Sequence, residues 1–314
     1  MPDGDLMREA MALGEQQAQA VLAFREEELQ HREQALTARA EATGGLAMTA
    51  EAAVVDDERV AAMGSRAAGV LIAEGDSWFD YPMNNVVRLL EDRYGYEVES
   101  VASNGDRVED MAYSGGQLEK FTRLLEKLIR HGDPPRAILL SGGGNDIAGD
   151  EFAILLNHAS SARAGLNENV VKGVIDERIL LAYLHIVTAV TRVCEARLGQ
   201  RIPILVHGYD YPVPDGRGFW GGGWVLPGPW LEPGFRAKRY EDMEARKAIL
   251  RMLIDRFNEM LARVAAMPEL SHVRYIDLRK TLSSGEDYRE WWANELHPTK
   301  RGFLEVTRRF ANAI

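Results

Sequence analysis

The chain has 314 residues, with 37 lysines and arginines against 48 aspartates and glutamates, for a formal net charge of -11. That length suits a large α/β domain that buries its core unaided, and an acidic chain without a basic, aromatic-interleaved cluster excludes nucleic acid and anionic membranes as expected partners. The single cysteine, Cys194, excludes an intrachain disulfide framework and reads as core packing in a reduced compartment.

The N-terminus, "MPDGDLMREAMALGEQQ", carries acids where a secretory leader needs basic residues, and no run of about 18 apolar residues follows, so the expectation is a cytoplasmic protein. From Met7 to about Ala42 the sequence is rich in Ala, Glu, Gln and Arg and favours helix. Leu22, Leu29 and Leu36 recur at heptad spacing, but the other seam positions hold Arg25 or Glu26 and Arg32 or Glu33, which is half of a coiled-coil pattern. A solvated helix docked by one leucine stripe is preferred to self-association through this helix. The small and acidic residues up to Gly69 read as a linker with room for a second short helix, so residues 1–67 form an extension and 68–314 the main domain.

Beyond Gly69, short apolar runs alternate with helical periods. The strands are expected at Val70 to Ala73, Tyr96 to Ala102, Arg136 to Leu140, Ile202 to Val206 and Val273 to Ile276. Helices are expected in "NNVVRLLEDRYG", "GGQLEKFTRLLEKLIRHGD", "DERILLAYLHIVTAVTRVCEARLG" and "YEDMEARKAILRMLIDRFNEMLARVAA". That alternation predicts a three-layer α/β/α sandwich on a parallel sheet of about five strands, flavodoxin-like in order. The Gly-, Pro- and aromatic-rich segment Gly208 to Phe235 is far longer than an ordinary connection and is expected to be an ordered lid or wall, with Trp220, Trp224 and Trp230 either facing the site or anchoring the loop.

Ligands in open α/β sheets sit at the carboxyl ends of strands. The strand exits here carry Gly75-Asp76-Ser77, Ser103-Asn104-Gly105, Gly143-Gly144-Asn145-Asp146 and His207, and His297 follows in "WWANELHPTKRGF". Each has an ordinary reading as a turn residue or helix cap. A P-loop is excluded because no Lys and Ser/Thr follow the glycines, and metal-ligand spacings are absent, so no metal or cofactor is expected. What the single readings leave unexplained is a Ser, a Gly, an Asn and a His delivered to one edge in that order.

That set resembles the SGNH hydrolases, or GDSL esterase/lipase family: "GDS" with Ser77, the glycine of "SNGD" at Gly105, G-x-N-D at Gly143 to Asp146, and the D-x-x-H block at "NELH". The resemblance spans about Gly69 to Ile314 and implies Ser77 as nucleophile and His297 as base. It also implies an oxyanion hole from the N–H groups of Ser77 and Gly105 and the amide of Asn145. Trp78 stands where the family name has Leu. Asn294 stands where the family has the acid that orients the histidine, which leaves three accounts open: Asn294 or a backbone carbonyl orients His297, Glu295 swings in, or the site only binds. Candidate pocket residues are Asp76, Trp78, Asp146 and His207. The expected reaction is hydrolysis of a carboxylic ester, short acyl or carbohydrate O-acetyl, on a small-molecule or glycan substrate, with a rate rising through roughly pH 6 to 7 as His297 loses its proton; the alternative is a non-catalytic binding module.

Overall fold

Five of the apolar runs pair into a parallel sheet of β1 (Val70–Gly75), β2 (Glu97–Ser100), β3 (Ala137–Ser141), β4 (Ile204–His207) and β5 (Val273–Ile276), in the spatial order β2-β1-β3-β4-β5. The computed structural model describes residues 4–42, 68–219 and 227–314. Strands β3 and β4 are buried at every position and β1 from Leu71 onward, as continuous Val, Ile and Leu runs require when helices cover both faces. Tyr96 to Ala102, expected as a seven-residue strand, shortens to four mostly exposed residues, because β2 is an edge with a single neighbour. The chain steps from β1 outward to β2 and returns to β3 on the other side, so the exits of β1 and β3 open a crevice at the switch point.

The helices are α1 (Gly4–Ala42), α2 (Val86–Tyr94), α3 (Val108–Tyr113), α4 (Gln117–Arg130), α5 (Gly144–Ile147), α6 (Glu168–Val171), α7 (Leu180–Leu198), α8 (Glu232–Ala237), α9 (Met243–Ala265), α10 (Tyr288–Trp291) and α11 (Lys300–Ala313). Helix α2 packs with α11, while α4 and α7 pack together with α1 outside them. A π-helical stretch, Lys172–Ile179, leads into α7 and overlaps the start of the helix expected from Asp176. Residues 168–198 are long and apolar enough to cross a bilayer, but 78% of their most apolar stretch is buried inside the molecule, which makes this a core helix.

The docking of α1 corrects the expectation of a leucine stripe. Leu29 and Leu36 are 42% and 57% exposed, whereas Ala10, Ala18 and Val21 are buried. Gly14 lies among them, so close to α7 that a Cβ there would meet the His185 carbonyl oxygen at 2.4 Å. Small residues spaced by four let two helix backbones approach, and that close fit replaces the leucine contact. Polar ties add to it: the buried Glu126 carboxylate of α4 faces Arg25 of α1 at 3.3 Å and Arg197 of α7 at 3.1 Å. The second short helix expected before Gly69 falls outside the described residues.

Candidate active site

The turn after β1 is built around Asp76. Its Oδ1 accepts from the Trp78 N–H at 3.0 Å and from the Ser141 hydroxyl at 2.7 Å, and its Oδ2 accepts from the Tyr209 hydroxyl. The Asp76 N–H donates to the Ser141 carbonyl oxygen at 3.1 Å, which fixes the exit of β1 to that of β3. Gly75 is required by close approach, since a Cβ would meet Ser141 at 2.7 Å. The opening glycine, acid and hydroxyl of "GDS" therefore divide their work: the glycine admits β3, the acid ties the turn, and Ser77 is left to face the crevice.

Two hundred and twenty residues later His297 meets it: Ser77 Oγ lies 2.7 Å from His297 Nε2, and both residues are 5% exposed. The Asn294 Oδ1 accepts from the backbone N–H groups of Leu296 (3.0 Å) and His297 (2.9 Å), and these two donors fix which end of the amide faces the ring. His297 Nδ1 lies 3.0 Å from that same oxygen, so Nδ1 carries the proton and donates, and Nε2 presents its lone pair to the Ser77 hydroxyl. Asn294 thus selects the tautomer a general base needs, without supplying charge. Burial without a carboxylate partner pushes the His297 imidazole down to about 3, in the direction that moves the acid limb below the expected pH 6 to 7.

Glu295 does not swing toward His297. Its carboxylate is fully buried and accepts from the backbone N–H groups of Gly216, Trp230, Leu231 and Glu232 at 2.7–3.0 Å, so it clamps both ends of the long Gly/Pro segment to the histidine loop. Trp230 from that segment stands at 74° to the His297 ring with centroids 5.5 Å apart; Trp220 and Trp224 lie outside the described residues. Trp78, at the family's leucine position, donates its indole N–H to the Leu296 carbonyl oxygen at 3.1 Å and so ties the nucleophile turn to the histidine loop.

The remaining strand exits are linked to the same turn. Ser103 N–H donates to the Gly75 carbonyl oxygen at 2.9 Å, Asn104 N–H to Asp80 Oδ2 at 3.1 Å, and Asn145 Nδ2–H to the Asp106 carbonyl oxygen at 2.9 Å. Gly105 has φ 92°, a left-handed value that strains any side chain. Among the described residues, no acceptor bonds the N–H groups of Ser77 or Gly105. Asp146 accepts from the N–H groups of Val108 (2.9 Å) and Glu109 (3.4 Å) at the start of α3, and burial pushes its carboxyl up to about 6.

An apolar cavity opens beside Ser77, with Asp76, Ser77, Trp78, Asn145, Ile147, Leu231, Leu250, Leu253 and Ile254 among its lining residues. Asp146 and His207, both expected in the pocket, do not line it. His207 is fully buried, donates from Nδ1 to the Gly208 carbonyl oxygen at 2.8 Å, and has Nε2 2.8 Å from Ser141 Oγ; burial lowers its pKa. It belongs to the support behind the nucleophile turn. Among the described residues no three His, Cys, Asp or Glu side chains are grouped to hold a metal ion.

Sequence reasoning missed four contributors. Tyr81 stacks on His297, with ring centroids 4.2 Å apart and planes at 21°; it lies four residues after Ser77, and that proximity was the available signal. Tyr209 and Ser141 hold Asp76, and only their strand-exit positions hinted at it. Glu74 is buried behind the Asp106 loop, where Gln117 Nε2–H donates to its Oε1 at 2.8 Å, and burial pushes its carboxyl up to about 8.

A parallel α/β sheet with a serine and a histidine hydrogen-bonded at its switch point defines a class of serine hydrolase-like folds. The model of the GDSL-like lipase/acylhydrolase family matches residues 65–303, about three quarters of the chain, and the chain belongs to that family. No curated protein matches it. Solved structures similar to it include a lipase from a goat rumen metagenome, at 15% identity, 78% of this chain, 97% of that chain and a TM-score of 0.48. Another is a carbohydrate acetylesterase family member from Sinorhizobium meliloti, at 15% identity, 78% of this chain, 96% of that chain and a TM-score of 0.41. A carbohydrate esterase family 3 protein from Talaromyces cellulolyticus is also similar, at 10% identity, 78% and 95% coverage and a TM-score of 0.37.

Proposed function

We propose that the protein hydrolyses carboxylic esters through an acyl-enzyme on Ser77. The observation that carries this is the 2.7 Å contact between Ser77 Oγ and the unprotonated Nε2 of His297. As Oγ bonds to the substrate's carbonyl carbon, its proton passes to Nε2 and the carbonyl oxygen becomes an oxyanion. The Ser77 and Gly105 N–H groups and the second Nδ2–H of Asn145 are its donors, each worth about 3 to 4 kcal/mol. Collapse of the intermediate breaks the ester C–O bond, and the departing alkoxide takes the proton from Nε2. Water then repeats the two steps on the acyl-enzyme, releasing the acid and restoring the Ser77 hydroxyl.

The cavity beside Ser77 takes the acyl group. Ser77 and Asn145 line it together with Ile147, Leu231 and Leu253, which places a short acyl chain next to the serine hydroxyl. Its apolar wall favours an aliphatic chain. Carbohydrate O-acetyl esters carry such a short acyl group. A second reading, a module that only binds such esters, is favoured by Asn294 in place of an acid.

A fluorophosphonate probe separates the two. Wild type is expected to be labelled and Ser77→Ala to remain unlabelled; absence of labelling in both, together with retained binding of an acetylated sugar, would replace the esterase by the binding module.

A further inference from the structure

The base of this site lacks a charged partner. When Nε2 accepts the serine proton, the imidazolium that forms has an amide oxygen at Nδ1, and no carboxylate among the described residues contacts the ring. What does lie on it is the face of Tyr81, at a centroid distance of 4.2 Å and nearly parallel. Tyr81 is itself held in place: Phe219 stands edge-on to it at 5.7 Å and Phe303 lies at 5.9 Å. The Asn294 Nδ2–H donates to its hydroxyl oxygen at 3.2 Å. Burial raises the Tyr81 pKa, so the ring is a neutral phenol with its electron density over the imidazole.

We propose that Tyr81 is the positioning residue that takes over the electrostatic part of the missing acid: its π face stabilises the His297 imidazolium, and its hydroxyl oxygen holds the Asn294 amide in register. An aromatic face within about 6 Å of a desolvated cation stabilises it enough to change a rate by about tenfold. The roles are divided. Asn294 sets the tautomer through Oδ1, and Tyr81 supports the charge that appears only during the reaction, so the effect falls on the transition state and leaves ground-state binding unchanged. The proposal rests on the esterase reading.

The test is a series at position 81, assayed with p-nitrophenyl acetate. Tyr81→Phe keeps the ring and is expected to lose about threefold or less in kcat, while Tyr81→Leu loses about tenfold with KM unchanged. Phenylalanines carrying one, two and three ring fluorines at this position keep the shape and withdraw electron density, so kcat should fall stepwise with each fluorine. In the Asn294→Asp background the same series should flatten, because a carboxylate then supports the imidazolium. A flat fluorine series in an otherwise active Asn294 enzyme would show that the ring only fills space and would overturn the proposal. A wild type inert to both esters and fluorophosphonate would overturn the esterase reading, and this inference with it.

Discussion

Two loops meet in the crevice, and they are held by different forces. The nucleophile turn is pinned by a buried carboxylate, Asp76, which accepts from one backbone and two side-chain donors. The base loop has an amide, Asn294, at the corresponding supporting place, and its ring is held between Tyr81 and Trp230. The carboxylate acts on geometry alone, since Asp76 lies behind the serine and bonds groups that take no part in proton transfer. Where charge would raise the basicity of the histidine, it is withheld. At Asn294, three residues before the histidine, the ring is oriented by an amide oxygen without a charge, whereas the family pattern has an acid there.

The sharpest way to break that comparison is to remove the base itself. His297→Ala is expected to lower kcat by about a thousandfold or more, while Asn294→Ala lowers it by about tenfold to thirtyfold through loss of ring orientation; steady-state kinetics on p-nitrophenyl acetate check both. Equal losses would mean that the amide does more than orient.

Asp76→Ala tests the other side. It leaves the Trp78 N–H and the Ser141 and Tyr209 hydroxyls without their acceptor, and should cost on the order of 3 kcal/mol of stability in urea unfolding. A loss under about 1 kcal/mol would show that the turn holds its shape without these bonds.

Asn294→Asp converts one loop into the other's type. Wild-type kcat/KM is expected to be flat from pH 5 to 8, with its acid limb near the depressed His297 value of about 3. The new carboxylate should move that limb upward by about 1 to 3 units and raise the plateau about tenfold, as read from pH–rate profiles. A limb at pH 6 to 7 in wild type would show that burial does not depress the imidazole.

The smallest effect is a slope. Glu74 has a folded pKa raised to about 8 from 4.5, so the folded state holds a proton that the unfolded chain has released. Its contribution is complete below about 4.5 and is lost as pH rises through 8. His297 acts in the opposite sense, costing stability as pH falls from about 6.5 toward 3, where the unfolded chain binds the proton first. Glu74→Gln should flatten the decline of unfolding free energy between about pH 4.5 and 8, by at most about 1.4 kcal/mol per pH unit, and leave the profile below that window unchanged, as read from urea unfolding at a series of pH values.

The sequence was readable wherever one residue type has few other reasons to occur in a given order. The strand runs from Val70, Ala137 and Ile204 follow from uninterrupted aliphatic residues, and the placement of Ser77, Gly105, Asn145 and His297 follows from their positions after the strands. The face by which α1 docks was not readable, because Ala10, Gly14 and Ala18 carry no hydrophobic signal of their own and matter only for how closely α7 can approach. Glu295 shows the same limit. One residue from Asn294 and two from His297, it has the chemistry of an orienting acid, and only the direction of its side chain assigns it to the Gly/Pro segment.

By itself the sequence determined the parallel sheet and which four loops reach its carboxyl edge, because aliphatic periodicity and strand-exit residues are local signals. Tertiary structure alone decided that His297 meets Ser77, that Tyr81 covers the imidazole, and that burial lowers the pKa of the ring. Those depend on groups more than two hundred residues apart meeting in a space from which water is excluded, where the loss of solvation and the facing of one ring on another set the chemistry.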